Sequence, residues 1–357
     1  MMRRGTKRRL DQFLRVLCGG AVIGAGIGGA AGLAFRDAPL LGAMLGAFAA
    51  VINVVLMVGP IFGAEIFLPP TRLGHALERA PFLVTFTTKL LVYGSVVVLV
   101  FGAGLGRQLA VAIAAVLVDP GLTRAIYAQI KAPLWLAFLL LGVGLFVFQL
   151  GRLIGGRTLR DILFGRYHRS RMEERFFLFV DIAGSTPLAE RIGPNAVHRF
   201  LGEVFRLVSD PVDDHYGEVY QYVGDEIVIT WTVAEGHGHA RPLACFFAIE
   251  EALERAASGF EREFGVQPRL RAALHAGPVI TGEVGGSRRA IVYHGDVMNT
   301  TSRIEQATRD LQRQFLVSSD ALERLGGLES YALEDLGMQP LRGRTAAVRV
   351  YSVATKR

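Results

Sequence analysis

Residues 176–186, FFLFVDIAGST, set one carboxylate, Asp181, at the end of an apolar run and follow it with a small, polar loop. Residues 176–180 read as a buried strand, and Ala183, Gly184, Ser185 and Thr186 supply the small residues and capping hydroxyls that open a helix. A carboxylate there offers hard oxygens to a divalent cation, while backbone N–H groups and the positive end of the helix dipole face a polyphosphate. A lone aspartate at a strand end more often caps the helix, so a second carboxylate has to decide. Asp225 supplies it in GEVYQYVGDEIVITW, where two alternating β runs flank Gly224-Asp225 as a hairpin. Alone, Asp225 would serve the turn. Beside Asp181, in a sheet whose first and second strands are neighbours, it completes a pair able to hold one or two Mg²⁺ or Mn²⁺ ions. Further along, GDVMNTTSR carries Asn299 and Arg303 four residues apart on one helical face.

These groups need strands and helices in alternation, and residues 176–355 provide them. Residues 195–215 form a helix with Val197, Phe200, Leu201, Val204, Phe205 and Val208 on one face. The hairpin follows, then a helix over 240–263, a strand in RLRAALHAGPVITGEVG, and a strand entering the helix of Asn299. LRGRTAAVRVYSV closes the chain as a strand preceded by Arg342 and Arg344. His275 reads as a strand residue and Cys245 as a helix residue, both structural. With Cys18 the only other cysteine, there is neither a disulfide framework nor a zinc site.

The first half has a different character. Residues 1–172 hold 19 Lys+Arg against 6 Asp+Glu, a net +13, and residues 173–357 hold 20 against 26, a net −6. The basic residues flank apolar segments and form no groove with interleaved aromatics, which excludes nucleic acid as a partner. After a basic head over residues 1–15, apolar segments at 16–35, 39–60, 81–105 and 133–154 are each long enough to cross a ~30 Å hydrocarbon core. The segment 109–118 is short for a crossing and is either re-entrant, interfacial or part of a fifth one. Basic residues at the head and after the last segment (Arg152, Arg157, Arg160, Arg166) put both ends in the cytoplasm, hence an even number of crossings: four, with six as the alternative. Glu65 and Lys89 are ionisable groups at or near membrane depth, read either as functional or as a residue of an interfacial loop and a lysine that snorkels or faces the bundle. Residues 155–175 join the halves, with Leu159, Ile162 and Leu163 as a short apolar stripe on a helix that either couples them or tethers them passively.

FVDIAGST, YVGDE and GDVMNTTSR, in this order and at these separations, resemble the catalytic domain of the class III nucleotidyl cyclases, over roughly residues 173–355. The GRYHRSR run is also similar to the linker of bacterial membrane-bound members. The resemblance implies an α-helical transmembrane bundle followed by an α+β ferredoxin-like (βαββαβ) domain working as a head-to-tail homodimer in the inner membrane. It implies that Asp181 and Asp225, helped by the Ile182 carbonyl, bind two Mg²⁺ or Mn²⁺ ions per site. Asn299 and Arg303 would come from the other subunit, to orient the ribose and stabilise the pentavalent phosphorus. Gly184, Ser185 and Thr186 would hold the β and γ phosphates, with Arg342 or Arg344 as further contacts.

At the base-contact positions the chain departs from the family, with Gln221 where a lysine is usual and Val292 where an aspartate or threonine is usual. Gln221 can donate and accept at a purine edge, whereas Val292 offers no hydrogen bond. ATP is the expected substrate, since the Glu/Cys-type pair of a guanylyl cyclase is absent too. The alternatives are a guanylyl cyclase and a catalytically silent nucleotide-binding domain. A diguanylate cyclase is excluded by the missing first glycine of its hairpin and by the Asn-x-x-x-Arg helix. Membrane lipid and a second copy are the other expected partners, together with an unknown ligand of the bundle.

Overall fold

The computed structural model describes residues 4–32, 39–67, 71, 83–96, 142–151, 154–285, 290–341 and 347–356. The chain divides into two compact units, Met1–Leu159 and Arg160–Arg357.

In the first unit, α1 (Arg4–Gly32) and α2 (Pro39–Phe67) pack antiparallel. Their glycines allow the approach: a Cβ at Gly29 would lie 3.6 Å from the Ala43 carbonyl oxygen, and one at Gly63 would lie 3.6 Å from the Phe13 ring. Residues 83–96 (α3) and 142–151 (α4) are also helical. Ile61 of α2, Tyr93 of α3 and Leu145 of α4 meet in one apolar layer. One helical turn from Ile61 and Tyr93, Lys89 Nζ lies 2.7 Å from Glu65 Oε2, and the Tyr93 hydroxyl donates to Glu65 Oε1 at 3.0 Å. Glu65 is thus neither in a loop nor alone, and Lys89 turns to it instead of snorkelling. Among the described residues no helix is long and apolar enough to cross a membrane, so the expected transmembrane bundle finds no support there. The segment 109–118 and the stretches 97–105 and 133–141 of the expected third and last crossings lie outside the described residues.

The second unit opens with the end of α5 (Gly156–Leu163), so the joining segment is not one helix to residue 175. Strand β1 already begins at Arg171 and runs to Ile182 (Arg171–Ile182). Then come α6 (Ser185–Ile192), α7 (Pro194–Asp214), the hairpin β2 (Glu218–Val223) and β3 (Glu226–Thr232), α8 (Val233–His237) and α9 (Arg241–Phe264). Strands β4 (Leu270–Val284) and β5 (Ala290–His294) follow, then α10 (Asp296–Asp310), β6 (Phe315–Ser318), α11 (Ser319–Arg324), β7 (Tyr331–Gln339) and β8 (Val348–Thr355).

The sheet order is β2-β3-β1-β4-β6-β8-β7, with β5 folded onto β4. Its first four strands, with α6/α7 and α9 between them, form the expected antiparallel βαββαβ unit. Beyond it β6 joins β4 in parallel. One expectation needs correcting: β1 neighbours β3, not β2, so Asp225 reaches Asp181 from the turn leading into β3. Strand β1 reads as a continuous apolar run because both its faces are covered. Phe176, Leu178, Val180 and Ile182 enter the main core with Phe200 and Val204 of α7 and Phe246 and Ile249 of α9. Phe177 and Phe179 face the other way, against Val279, Tyr293 and Val297. His275 and Cys245 are buried and structural, His275 Nδ1 lying 2.7 Å from Ser318 Oγ. Burial pushes the Cys245 thiol well above its ordinary range.

The buried pair makes a test of the first unit. Lys89→Met alone leaves Glu65 charged in an apolar layer and is expected to destabilise the helices by about 3–5 kcal/mol, whereas Lys89→Met with Glu65→Gln stays close to the parent chain. Thermal melting followed by circular dichroism separates the two.

Candidate active site

Along β1, Arg175, Phe177, Phe179 and Asp181 share one face by the two-residue period of a strand. Asp181 closes that row only 5% exposed, opposite Glu226 on β3 and Arg271 on β4. Its Oδ2 accepts from Arg271 Nη2 and from Arg309 Nη2, each at 3.2 Å. Arg309 belongs to α10, which also delivers buried Glu305 to the same place.

Four carboxyl groups therefore converge, and their proton affinities record it. Burial raises Asp181 above the usual aspartate range, the charge of Asp225 adds to this, and Arg271 and Arg309 pull the other way. Glu226 is pushed up to about 7, first by burial and then by Glu305, Asp181 and Asp225. Glu305 is raised by burial and by Asp181, and its Oε1 has no hydrogen-bond partner. Negative charge is in excess here even with two guanidiniums present.

The loop after β1 differs in detail from the sequence reading. Gly184, with φ 78°, occupies the cap of α6 in the left-handed region that favours glycine, and no side chain caps the helix. The Ser185 hydroxyl donates instead to Asp225 Oδ2, tying the hairpin turn to the start of α6. Thr186 is exposed, and the Ile182 side chain is buried in the main core. Pro187 has no N–H and the Leu188 N–H bonds to the Gly184 carbonyl, so in this first turn Ser185 and Thr186 carry the N–H groups without an intrahelical acceptor. Beside the loop, Ala183, Arg269, Arg271, Arg309 and Arg313 line a cleft of about 780 Å³, with Glu250 and Glu254 on its other wall.

Asn299 and Arg303 do not join this cluster. Asn299 is exposed and Arg303 half-buried, and among the described residues neither hydrogen-bonds to Asp181 or Asp225. At about 100° per residue, their stripe lies about 120° around α10 from that of Glu305 and Arg309. Gln221 is exposed on β2 and Val292 half-buried on β5, and the neighbouring rings of Tyr220 and Tyr293 meet at 4.8 Å. Arg342 and Arg344 lie outside the described residues.

The sequence reading missed Glu226, Glu305, Arg271 and Arg309. Glu226 could have been found from strand alternation once β3 was paired with β1. Arg271 needed the register of β4, and the α10 pair needed the helix's rotation.

The oxygen-rich, negatively charged setting of Asp181 and Asp225 fits a divalent cation. Among the described residues no group of three or more His, Cys, Asp or Glu side chains is arranged to hold one, so backbone, solvent or substrate oxygens would complete the shell.

Residues 168–355 match the model of the adenylate and guanylate cyclase catalytic domain. The chain belongs to that family. It is 41% identical over 209 residues to adenylate cyclase 2 of Rhizobium meliloti (strain 1021), which covers 58% of each chain. It is 27% identical over 168 residues to guanylate cyclase 2D of Rattus norvegicus, covering 46% of this chain and 15% of that one. The chain thus spans little more than half the length of its relative at 41% identity. Among solved structures, a bacterial light-regulated adenylyl cyclase shares the fold with a TM-score of 0.52 at 21% identity, over 62% of this chain and 65% of that one.

Metal binding can be read without turnover. Mn²⁺ at about 100 times its dissociation constant should stabilise the chain by about 2.7 kcal/mol and raise its melting temperature, and Asp225→Ala should remove most of that increment. An undiminished increment in Asp225→Ala would break the assignment.

Proposed function

We propose that this chain is an adenylyl cyclase that converts ATP to 3′,5′-cyclic AMP and pyrophosphate at sites shared between two copies. One observation carries the reading: Ser185 holds Asp225 at the first turn of α6 and Arg271 and Arg309 hold Asp181, while the Asn299–Arg303 stripe turns away from both carboxylates. A site needing all four groups is completed by a second copy. The 41% identity to a protein named adenylate cyclase 2 supports ATP over GTP.

The reaction is an in-line attack of the ribose 3′ oxygen on the α-phosphorus. The O–P bond to the ribose forms, the bond to pyrophosphate breaks, and the 3′ hydroxyl loses its proton. Asp181, Asp225 and the Ile182 carbonyl would hold two Mg²⁺ or Mn²⁺ ions, which when bound acidify the hydroxyl and neutralise the triphosphate. Ser185 keeps Asp225 in place for that role, and its N–H and that of Thr186, after Gly184, face the β and γ phosphates. From the second copy, Arg303 directs several donors at the non-bridging oxygens, and Asn299 orients the ribose. Arg271 and Arg309 hold the charge of Asp181 in the absence of a cation. Arg342 and Arg344 are further phosphate contacts. Gln221 reads the purine edge and Val292 packs against it.

The first unit attaches the enzyme to the plasma membrane, with its basic head and the catalytic domain in the cytoplasm. Exposed Val22, Ile23, Leu40, Met44, Phe48 and Leu91 support that reading.

The test is to incubate the full-length protein with Mn²⁺ and ATP or GTP and to quantify both cyclic nucleotides. Cyclic AMP is expected, with Asp225→Ala lowering the rate by at least about 10²–10³-fold. Neither product from folded, dimeric protein would point to a silent regulatory domain. Mixing the inactive variants Asp181→Ala and Arg303→Ala should restore part of the activity, because one composite site of the mixed dimer stays whole. Well-folded mixed dimers without recovery would overturn the shared site.

A further inference from the structure

Arg175 stands at the opposite end of the β1 row from Asp181, six residues or about 20 Å away along the strand, and it takes no part in the metal site. Its guanidinium is 4% exposed. Nη1 donates to the Tyr293 hydroxyl at 2.5 Å and to Thr230 Oγ1 at 3.4 Å, Nε donates to Glu173 Oε2 at 3.2 Å, and Glu218 Oε2 lies 3.9 Å away. It also sits 4.7 Å from the centre of the Tyr293 ring. A buried cation with this many partners is costly to assemble and fixes the geometry of everything it touches.

What it touches are the strands that carry the two base-contact positions. Tyr293 is on β5, next to Val292, and is packed edge-on against Phe177 at 5.4 Å. Tyr220 sits at the bulge of β2, next to Gln221, with its ring 4.8 Å from that of Tyr293. The backbone of Tyr293 also lies close to the Tyr220 hydroxyl. Strands β2 and β5 are not sheet neighbours, since among the described residues β2 pairs with β3 alone and β5 with β4 alone. Across that gap, Arg175, Tyr293 and Tyr220 link the two, each tyrosine one residue from a base-contact position.

We propose that Arg175, Tyr293 and Tyr220 form a clamp that sets the spacing of Gln221 and Val292, and that these three are positioning residues for recognition of the nucleobase. The proposal rests on the cyclase reading of the site. It explains how a pocket with one hydrogen-bonding side chain and one apolar one can discriminate. A glutamine can tell one purine edge from another only when its distance from the opposite wall is fixed.

The test uses full-length protein and the variants Tyr293→Phe and Tyr220→Phe, each of which removes one hydroxyl and keeps the ring. Turnover is measured with ATP and GTP, and affinity with 3′-deoxy-ATP and 3′-deoxy-GTP, which lack the attacking oxygen and cannot cyclise. Expected for Tyr293→Phe is a rise in KM for ATP of about five-fold or more with kcat within about two-fold. A matching loss of 3′-deoxy-ATP affinity should accompany it, so that the ratio of 3′-deoxy-ATP to 3′-deoxy-GTP affinity falls toward one. Tyr220→Phe should move the same quantities in the same direction, and it stands in should Tyr293→Phe fail to fold. A variant that only melts earlier or turns over more slowly, with KM and the affinity ratio unchanged, would reduce the cluster to a structural one. If the parent chain makes no cyclic nucleotide, the cyclase reading falls, and the affinity ratio still judges the clamp. Parent protein that binds neither analogue overturns both.

Discussion

A strand buried on both faces admits a charge only where the protein brings a compensating group, and the buried stretch of β1, residues 175–182, carries two. Asp181 ends the row with Arg271 and Arg309 on its Oδ2. Arg175 begins it among Glu173, Glu218 and Tyr293. Between them only Phe177 and Phe179 face that side. The rest of the domain follows from this constraint. Strand β3 supplies Glu226 and Thr230, β4 supplies Arg271, and α10 leaves the sheet at an angle that returns Arg309 to the carboxylate. The hairpin β2–β3 and the β4–β5 arm pair into the sheet along their backbones, and each also brings groups to these two charges.

The two ends balance differently. At the Arg175 end two guanidiniums, Arg175 and Arg166 at 3.6 Å from Glu173, match the two carboxylates Glu173 and Glu218, and burial raises the surrounding tyrosines further, Tyr167 to about 12. Around Asp181 the carboxyl groups outnumber the guanidiniums, and burial first, with that excess added to it, makes Glu226 and Glu305 hold protons more tightly than a surface glutamate does. A matched cluster suits a fixed support. An unmatched one suits a place where a further cation can arrive, since binding then relieves repulsion that the fold has already assembled.

Much of the domain was legible in the sequence because the signals were local. The apolar run ending at Asp181, the Gly224-Asp225 turn and the periodic face of α7 each depend on a few consecutive residues. What stayed hidden depends on pairing. That β3 and not β2 lies beside β1 decides how Asp225 reaches Asp181, and no stretch of the chain states it. Ser185 has the composition of a helix cap, and only the arrival of the hairpin turn shows its hydroxyl spent on Asp225. Arg175 is the last residue of the joining segment 155–175, and its burial is visible only once Tyr293 of β5 is placed against it. The membrane-crossing reading of the first half rested on apolar length and basic flanks, and among the described residues no helix is long and apolar enough to cross a membrane. What the structure adds there is the meeting of Glu65 and Lys89, 24 residues apart.

Tyr167 precedes the first strand and is only 3% exposed. Its hydroxyl donates to Glu173, which in turn accepts from Arg175, and its carbonyl accepts from the backbone N–H of Glu283 at 3.0 Å. The segment matched by the family begins one residue later, at 168. A domain boundary drawn from shared sequence would therefore sever a residue that is part of the interior, and the catalytic unit as a physical object starts upstream of the catalytic unit as a family.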